Sequence, residues 1–100
     1  MLDVLRWLQD WYFENCNGDW EHNFGVKIET VDNPGWSVEI NIIDTNLEHE
    51  KFNSIEVERD EEDWYYCIVR DGVFHGAGGV RNLEEILTCF RQWASSQDRN

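Results

Sequence analysis

Hydrophobic and polar positions divide the chain into two helical stretches with period-2 segments between them. From Asp3 to Cys16 the residues Val4, Leu5, Trp7, Leu8, Trp11, Tyr12 and Cys16 fall on one half of a helical wheel. Arg6, Gln9, Asp10 and Glu14 take the other half. Asn17-Gly18 is a helix stop, because Asn and Gly tolerate the left-handed conformation just past a helix end. The tryptophan-rich stripe of this helix is expected to lie against a flat surface, a sheet. At the other end, Leu83, Ile86, Leu87, Phe90, Trp93 and Ala94 fill an arc of about 120° on the wheel. Asn82 and Glu85 stand three residues apart at its start, close to a capping box. Ser95 to Asn100 reads as a polar tail.

Alternation marks the strands. Phe24, Val26 and Ile28 alternate with Gly25, Lys27 and Glu29, and Trp36, Val38, Ile40 and Ile42 alternate with Ser37, Glu39 and Asn41. Asp32-Asn33-Pro34-Gly35 between them is strong turn chemistry, so the two form an antiparallel hairpin. Asp44 to Lys51 is polar and aperiodic, a loop. Phe52 to Asp60 alternates through Ile55 and Val57, with Glu56 and Glu58 facing outward. Asp60-Glu61-Glu62-Asp63 is a tight acidic turn leading to a strand from Trp64 to Arg70. Asp71-Gly72 then turns the chain into Val73, Phe74 and His75. This order predicts an α+β domain: an antiparallel sheet of four to five strands, flanked by an N-terminal and a C-terminal helix packed on one face. The other sheet face is left open or is covered by a partner.

Length adds that residues 1–100 form a single domain, since domains run to about 100–150 residues. Six tryptophans and a hydrophobic content of 41% exclude intrinsic disorder, despite a mean hydropathy of −0.64. No apolar run approaches the roughly 18 residues of a membrane span. The N-terminal stretch carries acids where a signal peptide needs a basic region, so a cytoplasmic protein is expected.

Charge changes the picture further. Twenty-one acids against eight bases give a net −13, which disfavours nucleic acid and anionic membranes as partners. The acidity either provides solubility or draws in a basic partner through its field. From Asp44 to Asp63 nine acids stand against Lys51 and Arg59, more than half of the net charge in one fifth of the chain. That concentration favours a docking surface over a merely solvated face.

Carboxylates that could do acid–base chemistry abound, but they cluster on outward faces and turns rather than at converging strand ends. Cys16, Cys67 and Cys89 are an odd number without C-x-x-C spacing, and each lies in or beside an apolar run. They read as buried structural thiols, which leaves a cysteine-dependent sulfur-transfer or hydrolytic enzyme as a rival reading. Cys16, Asp19 and His22 recur at three-residue spacing, but Asn17-Gly18 breaks the helix that would align them, so no metal site is expected. Gly76-Ala77-Gly78-Gly79 is either a backbone cradle for an anion or a tight chain reversal, and matches no nucleotide-binding fingerprint. No catalytic residue and no cofactor are expected.

For partner binding, Glu56, Glu58, Asp60, Glu61, Glu62 and Asp63 are the candidate contacts, with Asp19 and Glu21 as a second patch. Trp20, in a polar loop, is either a lid over the core or an interface anchor, and Trp64 is a second candidate anchor.

The stretch from Trp7 to Ile40, with Gly18-Asp19-Trp20-Glu21-His22 and Asp32-Asn33-Pro34-Gly35-Trp36 as its most specific parts, resembles the immunity protein 53 family of bacterial polymorphic toxin systems. The glycine turn from Gly76 to Gly79 and the run from Asn82 to Trp93 carry the likeness on, so that it covers Leu5 to about Ala94. The resemblance implies an α+β antitoxin that binds and neutralises a cognate toxin in the producing cell, and occlusion rather than catalysis is the mechanism expected here. An acidic antidote suits a basic toxin, and nucleases are basic because they bind phosphates, so a nuclease is the partner expected. A small acidic adaptor for some other basic protein is the alternative.

Overall fold

A computed structural model describes residues 3–97. Helix α1 spans Val4–Asn15 and a single turn, α2, spans Trp20–Asn23. Five strands follow: β1 (Val26–Val31), β2 (Gly35–Asn41), β3 (Ile55–Glu58), β4 (Trp64–Arg70) and β5 (Val73–Gly78). Helix α3, Leu83–Gln97, closes the order, so the polar stretch predicted from Ser95 continues the helix to Gln97 and its remainder lies outside the described residues.

All strand pairs are antiparallel, in the order β1-β2-β5-β4-β3. The β1–β2 hairpin turns at Asp32-Asn33-Pro34, as its turn chemistry predicts. Residues 42–54 then cross to the far edge, and two hairpins bring β5 back beside β2 in the centre. The expected α+β architecture is what forms.

Period 2 assigns the two faces. Val38 and Ile40 of β2 pair with Gly76 and Phe74 of β5, and these in turn pair with Cys67 and Val69 of β4. This row is buried, Val69 only partly, and α3 lies over it with Ile86, Leu87, Phe90, Trp93 and Ala94 inward. Phe90 meets Phe74 at 5.0 Å and Trp11 of α1 at 5.0 Å, both edge to face. Full burial of each such side chain contributes about 1.5–3 kcal/mol, so this aromatic column is a substantial part of what holds the helices to the sheet.

Four expectations need correction. Helix α1 buries a narrow seam, Val4, Leu8 and Trp11, and rests chiefly on α3 rather than flat on the sheet. Leu5 and Tyr12, placed inward by the wheel, are therefore exposed. Strand β3 is shorter than the alternation from Phe52 to Asp60 suggests, because Phe52 leaves the ladder to pack edge-on against Phe74 and Trp93. The loop from Asp44 to Lys51 is less polar in effect than in composition, since its Leu47 is wholly buried. Gly76, Ala77 and Gly78 form neither a cradle nor a reversal: they are the second half of the central strand. A Cβ on Gly76 would overlap Ile86 Cγ2, so the glycine is what lets α3 approach the sheet.

Candidate functional site

The candidate contacts divide between the two ends of the sheet. Glu56 and Glu58 point from β3 to the face opposite the helices, and the chain then enters the acidic turn. That turn borders a groove of about 980 Å³, lined also by Asn33 and Pro34 from the neighbouring turn and by Gly79 to Asn82. Five acids and two arginines line it, so the groove is net negative.

The turn is built from its own residues. Arg59 N and Asp60 N both donate to Asp63 O, at 2.9 and 3.2 Å, and Asp63 N returns a bond to Asp60 O. Asp60 Oδ1 accepts from Glu62 N at 2.8 Å. Gly79 lets this turn sit close to the sheet, for a Cβ there would overlap Glu62 O. Glu61 and Glu62 are left exposed, with no cationic partner for either carboxylate among the described residues.

Asp63 has a different role from its neighbours. Arg59 grips it through Nε and Nη2, at 2.8 and 2.9 Å, and the same Nη2 reaches both oxygens of Glu85 on α3 at 2.8 Å. Hydrogen bonds from Arg59 and then from Asn82 hold the Asp63 carboxyl down at about 2, while bonds to Asp63 and then to Glu85 raise Arg59 beyond its ordinary value. Asp63 therefore ties the turn to α3, and its charge is already matched inside the molecule.

Asn82 and Glu85 do not make the predicted capping box. Asn82 Nδ2 donates to Glu85 Oε1 at 2.7 Å and to Asp63 Oδ1 at 2.9 Å, while its Oδ1 accepts from Trp64 N. The pair serves as a joint between the helix start and the acidic turn, at the cost of the local cap.

The second patch lies at the other end of the sheet. Asp19 and Glu21 flank Trp20, whose ring is buried against Trp11 at 6.0 Å and whose Nε1 donates to Ile43 O at 2.9 Å. Trp20 is thus a lid over the core, and its ring offers no contact surface. Glu21 accepts from Asn17 N and Gly18 N, at 2.9 and 2.8 Å, and hydrogen bonding to backbone amides, its own first, lowers its pKa. Asp19 remains exposed. With the length of β2 between them, the two patches do not form one surface.

Trp64 is half-buried beside the groove and stacks on Tyr66, with ring centroids 6.3 Å apart and planes at 23°. Tyr66 is a contact candidate that the sequence reading missed. The signal was in the alternation: Tyr66 shares the parity of Trp64 and so shares its face.

Of the thiols, Cys67 and Cys89 are buried and adjacent, and the hydrogen bond they share, followed by burial, pushes the Cys67 thiol above its ordinary range. Cys16 departs from the expectation of burial. It is half-exposed at the end of α1, where its Sγ donates to Tyr12 O at 3.2 Å. Among the described residues, no three His, Cys, Asp or Glu side chains gather as metal ligands would. No helix there is long and apolar enough to cross a membrane.

No curated protein and no solved structure matches the chain. A family model described as immunity protein 53 matches residues 5–95, and the chain therefore belongs to that family of immunity proteins.

Proposed function

We propose that this protein neutralises a cognate basic toxin, a nuclease by class, in the cytoplasm of the bacterium that makes it. It does so by occlusion: the acidic surface running from Glu56 and Glu58 through Asp60, Glu61 and Glu62 covers the toxin's cationic cleft in place of nucleic-acid phosphates. Family membership carries the antitoxin reading. The concentration of acids without internal cationic partners supports a basic target, because opposite fields speed encounter and fix orientation. Asp63 contributes through the shape of the turn rather than through free charge.

The test is co-expression with the neighbouring gene product, followed by pull-down at physiological and at roughly threefold higher salt. A stoichiometric complex that rescues growth and weakens in high salt is the expected result. A neighbour that neither binds nor harms cells overturns the reading.

A further inference from the structure

The sheet face away from the helices is uncovered among the described residues. On it, Glu29 has Lys27 at 3.8 Å, and Glu39 has the His75 imidazole at 3.8 Å, a cation only when protonated. Glu56 and Glu58 have no cation there, although they are exposed and stand in an ordered ladder. The register sets Glu56 directly opposite Tyr66 and Glu58 directly opposite Trp64. Side chains so paired start about 4.5–5.5 Å apart. The open face therefore repeats one unit twice, a carboxylate beside an aromatic ring, and the two rings are stacked on each other.

We infer that this double unit is a seat for arginine side chains of the protein partner. A planar guanidinium lies on an aromatic face while its N–H edge donates to a carboxylate, so one group satisfies both members of each unit. The molecule uses the same chemistry internally on the adjacent residue: Arg59 Cζ stands 5.8 Å over the Tyr65 ring while Arg59 binds Asp63 and Glu85. Charge complementarity defines the occupant, since the two unmatched carboxylates adjoin the net-negative groove and call for a basic surface. Two residues along a strand advance about 6–7 Å, so the partner presents two arginines at about that spacing. The inference rests on the toxin-binding reading for the partner's identity but not for the chemistry of the seat.

Two measurements keep those apart. In the first, a hexa-arginine peptide is titrated into the full chain and followed by NMR at the Trp64 indole and the Tyr66 ring. Both signals are expected to move and saturate together. Tyr66→Leu is expected to weaken binding about five- to tenfold, and Tyr66→Phe, which keeps the ring, by less than about twofold. Rings that stay unmoved while only residues 60–62 respond overturn the seat. In the second, the neighbouring gene product is bound to wild type, Tyr66→Leu and the double variant E56Q/E58Q. Equal affinity for all three overturns the seat while leaving the antitoxin reading intact. Failure of the wild type to bind defeats the antitoxin reading alone, and the peptide titration still decides the seat.

Discussion

Asn82 and Asp63, nineteen positions apart, meet at 2.9 Å through Asn82 Nδ2 and Asp63 Oδ1, and this contact fixes the acidic turn to the start of α3. Asn82 is almost fully buried and uses both ends of its amide, donating to two carboxylates and accepting from Trp64 N. Asn82→Ala leaves Trp64 N without its acceptor, while Asp63 and Glu85 are half-exposed and keep Arg59. A loss of about 1–3 kcal/mol in urea unfolding is expected. A loss below about 0.5 kcal/mol would show that water replaces the amide freely.

The Asp63 ion pair makes stability depend on acid. The Asp63 carboxyl titrates at about 2 in the folded chain, against about 3.9 when unfolded. A depressed folded value means that the contribution is present above the unfolded value and is lost as pH falls from about 4 towards 2. Asp63→Asn is therefore expected to flatten the stability profile across that window, leaving its shape above about pH 5 unchanged. Parallel profiles for variant and wild type, measured by denaturant unfolding at stepped pH, would contradict the pairing.

Gly76 tests why the central strand carries glycine where α3 crosses it. Ala at this position places a Cβ on Ile86 Cγ2, and overpacking of this kind costs about 1–3 kcal/mol. Ile86→Ala removes the obstructing methyl, so the double variant G76A/I86A should be more stable than the sum of the two single losses allows. A double-mutant cycle with coupling near zero would place the strain elsewhere.

That glycine also shows where sequence reading reached its limit. Hairpins were legible because Asp32-Asn33-Pro34-Gly35 and Asp71-Gly72 are local turn chemistry, and because the alternation beside them is unbroken. The end of β5 was not, since Gly76 and Gly78 carry no hydrophobic pattern and their role depends on what packs above them. Leu47 is similar: a lone apolar residue in a polar loop has no periodicity to announce its burial. At the candidate site, Glu56, Glu58, Asp60, Glu61 and Glu62 were placed by charge and alternation alone, and all five are exposed. The internal use of Asp63 and Glu21 was hidden, because each depends on partners defined by the folded backbone.

Trp20 separates a lid from an anchor experimentally. Trp20→Phe keeps most of the buried ring but loses the bond from Nε1 to Ile43 O. Unfolding should cost about 1–3 kcal/mol less, given one carbonyl left unpaired. Affinity for the toxin, measured well below the melting temperature, should be unchanged within about twofold. A tenfold loss of affinity in a folded variant would restore Trp20 to the interface.

Charge at the turn should govern how fast the complex forms more than how long it lasts. Glu61 and Glu62 are the suitable pair to reverse, since neither side chain holds the turn together, whereas Asp60 and Asp63 both do. E61K/E62K is expected to lower the association rate about tenfold at low salt and to flatten its dependence on ionic strength, with dissociation little altered. The matched control is D10K/E14K on α1, which changes net charge equally at exposed positions. Global charge affects both variants alike, but only a local field distinguishes them. Stopped-flow traces that slow equally for the two would therefore remove the β3–β4 turn as the steering surface.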